Sequence, residues 1–116
     1  MTAFATVTLI AELDHGTNSK RILVSAVAPT TYVADGSGID LSTWFTQVYS
    51  VKCAGRAIAG ATAGAGYSFT YIPAASYAAA SGKIIVGLIW QATPAESAGI
   101  DLSTTPGTVL FEVLGR

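Results

Sequence analysis

Charged side chains are scarce in this sequence. It has six Lys and Arg and seven Asp and Glu among 116 residues, which is 11% charged residues with a net charge of -1. An ordinary soluble domain is about 25% charged. The six basic residues are scattered along the chain, whereas binding to nucleic acid needs clustered cations that displace counterions from phosphates. We therefore expect no nucleic-acid partner.

Long hydrophobic runs and paired cysteines are also missing. The longest apolar stretch, residues 84–90, is far shorter than the ~20 residues that span a bilayer. The N-terminus has no basic region followed by an apolar block, so we expect neither a secretory signal nor a membrane partner. Cys53 is the only cysteine and cannot form an internal disulfide.

Groups that could perform catalysis are few. A Ser–His–Asp arrangement would have to use His15, the only histidine, and the adjacent Asp14 would point away from it. We expect His15 to be an exposed turn residue and Cys53, on the apolar side of its strand, to be a buried and inert thiol. No Cys/His spacing suits a metal. The sequence thus predicts no enzyme, and no catalytic, cofactor-binding or metal-binding residues.

Two glycine-containing segments deviate from the nucleotide-binding motifs. Residues 60–66 have the glycines of a dinucleotide loop without its spacing. The tripeptide Ser81-Gly82-Lys83 resembles the end of a phosphate loop, but Tyr77 occupies the place of that motif's first glycine. The Ala/Gly-rich residues 54–66 contain four glycines, which argue against a helix. We expect a loop there.

The dominant periodicity is two, which is typical of strands. In residues 5–13 every odd position is apolar, which predicts a half-buried strand. Similar patterns, separated by turn-forming residues or closed by proline, predict further strands at residues 20–27, 47–53, 67–71, 83–91 and 108–114. Residues 83–91 are apolar on both faces, so we expect a central strand that is flanked on both sides and covered on both faces.

Together these patterns predict an all-β fold, a small antiparallel β-sandwich or barrel of jelly-roll-like form with little helix. A single domain would span residues 1–116, since the length leaves no room for a second core. We expect a flexible N-terminal arm at residues 1–4 and a short helical turn within residues 74–80.

An internal repeat relates residues 34–43 to residues 95–104. Both copies contain Gly-Ile-Asp-Leu-Ser-Thr, at an offset of 61 residues from Asp40 to Asp101. We expect equivalent connections at the same end of the domain, with Ile and Leu in the core and the carboxylate accepting N–H bonds from the next two residues. The alternative is a pair of calcium-binding acids, although each copy lacks a ring of further oxygens.

The aromatic residues allow two interpretations. Core packing explains most of them, while a sugar-stacking platform is the functional alternative. The residues that could form such a platform are Trp44, Phe45, Tyr32, Tyr67 and Tyr71.

The order of segments in the second half resembles that of the small virion structural proteins of tailed bacteriophages, many of which decorate or cement the capsid. The resemblance covers roughly residues 20–116. The segments that carry it are Asp40-Leu41, Tyr67-Ser68-Phe69-Thr70-Tyr71, Ser81-Gly82-Lys83-Ile84-Ile85-Val86, Thr93-Pro94-Ala95-Glu96, Asp101-Leu102-Ser103 and the terminal residues 109–116.

This resemblance implies a β-domain, often trimeric, that sits where capsid subunits meet and clamps them. The implied partners are the major capsid protein and further copies of the chain in a homotrimer. The implied location is the exterior of the virion capsid, after synthesis in the host cytoplasm. It implies no catalytic residues, and the Ala/Gly-rich residues 54–66 depart from it. Two alternatives are a host-receptor or carbohydrate-binding head-fibre or tail protein, and a general homo-oligomeric scaffolding protein.

Overall fold

The computed structural model of this chain describes residues 2–56, 67–88, 95–96, 102–103 and 107–116. These residues form two sheets in which every strand pairing is antiparallel. The strands are β1 (Ala5–His15), β2 (Lys20–Val27), β3 (Ser37–Gly38), β4 (Val48–Arg56), β5 (Tyr67–Ile72), β6 (Lys83–Leu88), β7 (Ala95–Glu96) and β8 (Thr108–Gly115). One sheet has the order β1-β2-β8-β4 and the other β3-β6-β5, with β7 also pairing with β6. The predicted all-β sandwich is confirmed.

The core lies between the sheets and is centred on Phe111. Alternate residues of β2 and β8 are buried, as the period-two pattern requires of strands with one covered face. The ring of Phe111 meets that of Phe4 at 5.6 Å and that of Phe69 at 5.8 Å, both edge to face. Because Phe69 belongs to β5, this contact joins the two sheets.

The second sheet places β6 in its middle, as predicted. β5 pairs with one edge of β6, and the short strands β3 and β7 pair with β6 as well. Ile84 and Val86 are buried, but Ile85 on the other face is only half-buried, so that face is covered in part. Residues 89–91 of the predicted strand lie outside the described residues.

Phe4 corrects the prediction of an N-terminal arm at residues 1–4. Its side chain is buried in the core and its N–H donates to the carbonyl of Gly38 at 2.8 Å. No period-two pattern predicts its burial, because Phe4 is fixed by contacts with Phe111 of β8 and Gly38 of β3, both distant in sequence.

β4 corrects two further predictions. A register shift between Val48 and Ser50 makes Tyr49 an extra residue, so the alternation of faces changes phase there. Cys53 is exposed rather than buried, because an outer strand is incompletely covered even on its apolar side. The prediction of a loop at residues 54–66 is wrong for residues 54–56, which belong to β4. Residues 57–66 lie outside the described part of the chain.

The turn expected to be helical within residues 74–80 is a short 3-10-type turn at Ala75–Tyr77. It is not a right-handed helical turn, because Ser76 and Tyr77 have positive φ angles.

Candidate interaction surfaces

Three of the exposed large apolar side chains among the described residues lie on β1. β1 is an outer strand of its sheet and pairs with β2 alone. Leu9, Ile10 and Leu13 are 39%, 53% and 49% exposed. We call these three side chains the β1 surface. Such clustering of exposed apolar residues on one element is typical of protein contact sites.

Irregular pairing of β1 accounts for the exposure of two of these side chains, Ile10 and Leu13. The register between β1 and β2 shifts in three places, and two of the shifts leave Ile10 and Leu13 without a partner on β2. Each extra residue reverses the faces of the residues beyond it, so Leu9 lies opposite buried Val24 whereas Ala11 lies opposite Leu23 on the other face. The predicted half-buried strand, with all odd residues on one covered face, is therefore wrong for β1.

Glu12 makes β1 a poor template for strand addition. It lies opposite Ile22, which is fully buried, so its carboxylate is on the core side of an outer strand. Bulges and inward-facing charges are devices by which outer strands avoid pairing with other strands. The geometry of β1 therefore favours contacts made by its side chains over contacts made by its backbone.

A second exposed feature is a pair of tyrosines. The rings of Tyr49 and Tyr77 lie 5.4 Å apart at an angle of 70°, edge to face. They are 36% and 48% exposed. Tyr49 is the bulged residue of β4 and Tyr77 ends the 3-10 turn after β5, so the pair lies where the two sheets approach each other.

Gln47 holds this pair in place. Its Nε2 donates to the carbonyl of Ser76 at 3.0 Å, and its Oε1 accepts from the Tyr49 hydroxyl at 3.1 Å. The backbone of Gln47 is itself fixed by two bonds with Arg116, at 3.0 and 2.9 Å. Gln47 therefore links three parts of the fold: its side-chain amide contacts Tyr49 of β4 and Ser76 of the 3-10 turn, and its backbone contacts Arg116. We call Gln47, Tyr49, Ser76 and Tyr77 the tyrosine site.

The backbone beneath Tyr77 is strained. Ser76 and Tyr77 have φ angles of 56° and 59°, and the N–H of Ala78 closes the turn on the carbonyl of Ala75 at 3.3 Å. Two successive positive φ angles are characteristic of turns that prefer Asn-Gly. A side chain in this region costs about 1 kcal/mol or more. A tyrosine thus occupies a position that glycine would fill with less strain.

A third feature is an open polar depression at the β1–β2 turn, of about 380 Å³. Three of its lining residues are basic or titratable, namely His15, Lys20 and Arg116. Lys20 is partly occupied elsewhere, since its Nζ lies 5.1 Å from the centroid of the Phe45 ring. The remaining lining residues are Gly16, Thr17, Asn18, Ser19, Trp44 and Thr46.

The candidate catalytic and metal-binding residues are not drawn together. Asp14 lies opposite Arg21 and His15 opposite Lys20, so these successive side chains are on opposite faces of β1. Cys53 has its Sγ 3.6 Å from the carbonyl of Gly55. Among the described residues no group of three His, Cys, Asp or Glu side chains could hold a metal ion.

The sugar-stacking platform considered for Trp44, Phe45, Tyr32, Tyr67 and Tyr71 is not assembled. Tyr32 and Phe45 are core residues, and the Tyr32 hydroxyl accepts from the N–H of Val86 at 3.1 Å. Tyr71 packs over Gly82, and burial raises the pKa of its hydroxyl. The side chain of Tyr67 lies outside the described structure. Tyr32 and Phe45 are buried in the core, and Trp44 and Tyr71 are partly buried against it.

The tyrosine site replaces this platform as the exposed aromatic feature, and sequence reasoning missed it. Tyr49 was assigned to a regular strand and Tyr77 to a short helical turn, with nothing to indicate that they meet. No local sequence pattern indicates the site. The positive φ angles of Ser76 and Tyr77, in a turn without glycine, are known only from the structure.

The two copies of the repeat share core leucines but not location. Leu41 and Leu102 are both fully buried, and Asp40 accepts from the N–H and hydroxyl of Ser42 at 2.9 and 2.6 Å. The hydroxyl bond, followed by the backbone bond, lowers the pKa of Asp40. Asp101 lies outside the described residues.

The prediction that both copies lie at the same end of the domain is wrong. The N–H of Leu41 donates to Ala79, whose own N–H donates to Thr46 beside the C-terminal end of β8. The N–H of Leu102 donates to Pro29, and its carbonyl accepts from Gly107 just before β8 begins. The equivalent leucines Leu41 and Leu102 are therefore held near opposite ends of β8.

Comparison of the chain with protein-family models, with curated proteins and with solved structures gave no match. The described residues include no helix of the length and apolarity that crossing a membrane requires.

Proposed function

We propose that this protein is a structural virion protein that decorates a phage capsid and stabilises it by binding between capsid subunits. The proposal begins from the resemblance of the second half of the sequence to small phage virion proteins. The β1 surface is the observation that carries it, because Leu9, Ile10 and Leu13 stand in solvent on one strand without a cover in the described fold.

The energetics of the β1 surface fit repeated weak contacts. Covering each of its three half-exposed side chains would contribute about 1 kcal/mol. That is modest for one molecule but accumulates when many copies occupy equivalent sites on one shell. Further exposed apolar side chains, Val33 and Ile72, lie on elements outside β1 and offer contacts to additional neighbours.

The low charge supports dense packing. A net charge of -1 keeps repulsion between neighbouring copies small. Within the described part of the chain Arg21 and Glu112 form an ion pair at 3.2 Å, and both partners are partly exposed. Exposed pairs of this kind contribute little. Self-association as a homotrimer, which belongs to the proposal, would therefore rest on apolar contacts and be insensitive to salt in analytical ultracentrifugation.

The test is reconstitution on capsids stripped of the protein. Adding back the wild-type chain should raise the temperature at which the shells rupture. Leu13→Asp places a carboxylate in the β1 surface and should weaken binding to the shell without unfolding an exposed site. Thr17→Asp in the β1–β2 turn adds the same charge outside that surface and serves as the matched control.

Two results would contradict the proposal. One is that stripped and decorated shells rupture at the same temperature. The other is that Leu13→Asp and Thr17→Asp bind the shell equally well, which would remove the β1 surface from the contact.

A further inference from the structure

We infer that the tyrosine site, formed by Gln47, Tyr49, Ser76 and Tyr77, binds a neutral saccharide. The inference goes beyond shell binding, because the tyrosine site shares no residue with the β1 surface. It rests on three features: two exposed rings at a fixed angle, an amide that holds them, and a strained turn that presents one of them.

The rings form a corner with two walls. The two rings lie at 70° to each other with their centroids 5.4 Å apart, so the edge of one is set against the face of the other. Both residues are more than a third exposed, which leaves part of this angle between the rings open to solvent. The C–H face of a pyranose is apolar and fits against an aromatic face, while its hydroxyls project from the rim. A corner of this shape therefore suits a flat ring that is apolar above and polar around its edge.

The polar groups at the corner suit the hydroxyls of a sugar. The Gln47 amide donates one N–H to Ser76 and accepts the Tyr49 hydroxyl, which leaves a second N–H and a second lone pair on the same amide. The Tyr77 hydroxyl can both donate and accept. Gln47 is fixed through its backbone bonds to Arg116, so these groups are held in position before a ligand arrives.

The absence of charge from the four site residues selects a neutral ligand. A nucleotide or an acidic glycan would need cations, and none of the four residues of the tyrosine site carries a charge. The exposed surface of the two tyrosine residues amounts to roughly 200 Å². A stable protein partner covers about 800 Å² on each side. The site is therefore of the size for one or two sugar rings.

The strained backbone of Tyr77 favours a binding role for the tyrosine site. Glycine at this position would adopt the positive φ of 59° without strain, but it would lack the aromatic ring. The tyrosine at this position is instead a strained residue, and it is 48% exposed. Strained positions of this kind are concentrated at binding and catalytic sites.

The experiment uses the full chain on an array of neutral oligosaccharides, namely glucans, mannans, galactans and N-acetylglucosamine oligomers, with sulfated and sialylated glycans as charged comparators. A neutral glycan that binds is then titrated by NMR with tyrosine ring signals observed. We expect the signals of Tyr49 and Tyr77 to shift. We expect Tyr77→Gly to bind at least about tenfold more weakly while its melting temperature stays the same or rises.

Matched variants separate the site from the fold and from the shell. Ile72→Ala removes an exposed apolar side chain outside the site and should bind the glycan as the wild type does. Tyr49→Phe keeps the ring and removes only its bond to Gln47, so we expect a smaller loss than for Tyr77→Gly. Tyr77→Gly should still bind the capsid, so that failure of this inference and failure of the proposed function give different results.

The inference is overturned if no neutral oligosaccharide binds at millimolar concentration, if only charged glycans bind, or if Tyr77→Gly binds as tightly as the wild type. Should Tyr77→Gly fail to fold, the ring-signal titration of the wild type still decides, since binding that shifts other aromatic signals and not those of Tyr49 and Tyr77 places the ligand elsewhere.

Discussion

The inner and outer strands of the first sheet follow different rules. β2 and β8 pair residue for residue from Lys20 with Gly115 to Val27 with Thr108, with no interruption. Their alternating sequence corresponds directly to alternating burial. β1 and β4, on either side of them, contain five register shifts between them. Their alternating sequence does not correspond to alternating burial.

The difference shows how this fold makes its exposed surfaces. An inner strand has a neighbour on each edge, and both neighbours fix its register. An outer strand has one, so extra residues can be inserted and turned outwards. Ile10, Leu13 and Tyr49 are such extra residues, and all three are exposed apolar side chains. The proposed shell contact and the proposed saccharide site both depend on bulged residues.

The largest effect that would test this comparison is a buried charge. Val24→Asp puts a carboxylate on a fully buried position of β2, while Ile10→Asp puts one on the bulge of β1. We expect Val24→Asp to abolish folding, because an unpaired charge in the core costs several kcal/mol, about the whole stability of a small domain. We expect Ile10→Asp to change the free energy of unfolding by less than about 0.5 kcal/mol.

Soluble expression and urea denaturation monitored by tryptophan fluorescence measure both variants. Equal losses would mean that the β1 bulge is buried in the native protein and that the contrast between inner and outer strands is wrong.

A smaller effect is expected from added methyl groups. A Cβ at Gly115, at the end of β8, would meet the carbonyl oxygen of Gln47 and lie 2.8 Å from Cδ1 of Phe45. A Cβ at Gly55 on β4 would meet only Leu110 Cδ1, at 3.8 Å, an ordinary contact. Because backbone cannot move aside cheaply, Gly115→Ala should cost about 1–3 kcal/mol.

The control for this prediction is Gly55→Ala, which should be neutral or slightly stabilising because it restricts the unfolded chain. Thermal unfolding of the two variants beside the wild type measures the difference. A Gly115→Ala protein as stable as Gly55→Ala would show that the end of β8 adjusts as freely as an outer strand.

The same contrast explains what the sequence could predict. The ends of β2 and the positions of β5, β6 and β8 follow from period-two patterns bounded by turn residues and proline. The burial of Leu9, Leu13 and Cys53 does not, because it depends on bulges and on incomplete cover of outer strands. Bulges are set by pairing with distant residues, so no local pattern announces them.

The tyrosine site was out of reach for a related reason. Its members are separated by about thirty positions, since Gln47 contacts Ser76 through a bond between residues 29 apart. The aromatic residues that the sequence offers for a platform include none of these four. Large aromatic side chains are favoured in the core, and Tyr32 and Phe45 are buried there. The tyrosines left outside are those displaced by the bulge in β4 and the strained turn.

The smallest predicted effect concerns the connection that carries Asp40, which is exposed and belongs to neither class of strand. Its bonds from Ser42 lower the pKa of the Asp40 carboxyl in the folded protein below the ordinary value of 3.8. A group whose pKa is lower in the folded state stabilises the fold above its unfolded pKa, and this contribution is lost as pH falls through the folded pKa. Stability due to Asp40 should therefore be complete near neutral pH and disappear as the pH falls below about 4.

Asp40→Ala and Ser42→Ala should each lower the free energy of unfolding at pH 7 by at most about 1 kcal/mol, because exposed bonds are partly replaced by water. Both variants should approach the wild type in stability at low pH, where the wild-type carboxylate is protonated as well. Chemical denaturation at pH 7 and along a series of falling pH values from about 4 to about 2 follows this convergence, with Thr17→Ala in the exposed turn as a control that should be neutral throughout. Addition of calcium should leave the melting temperature of the wild type unchanged. A rise that Asp40→Ala removes would instead make this carboxylate a metal ligand.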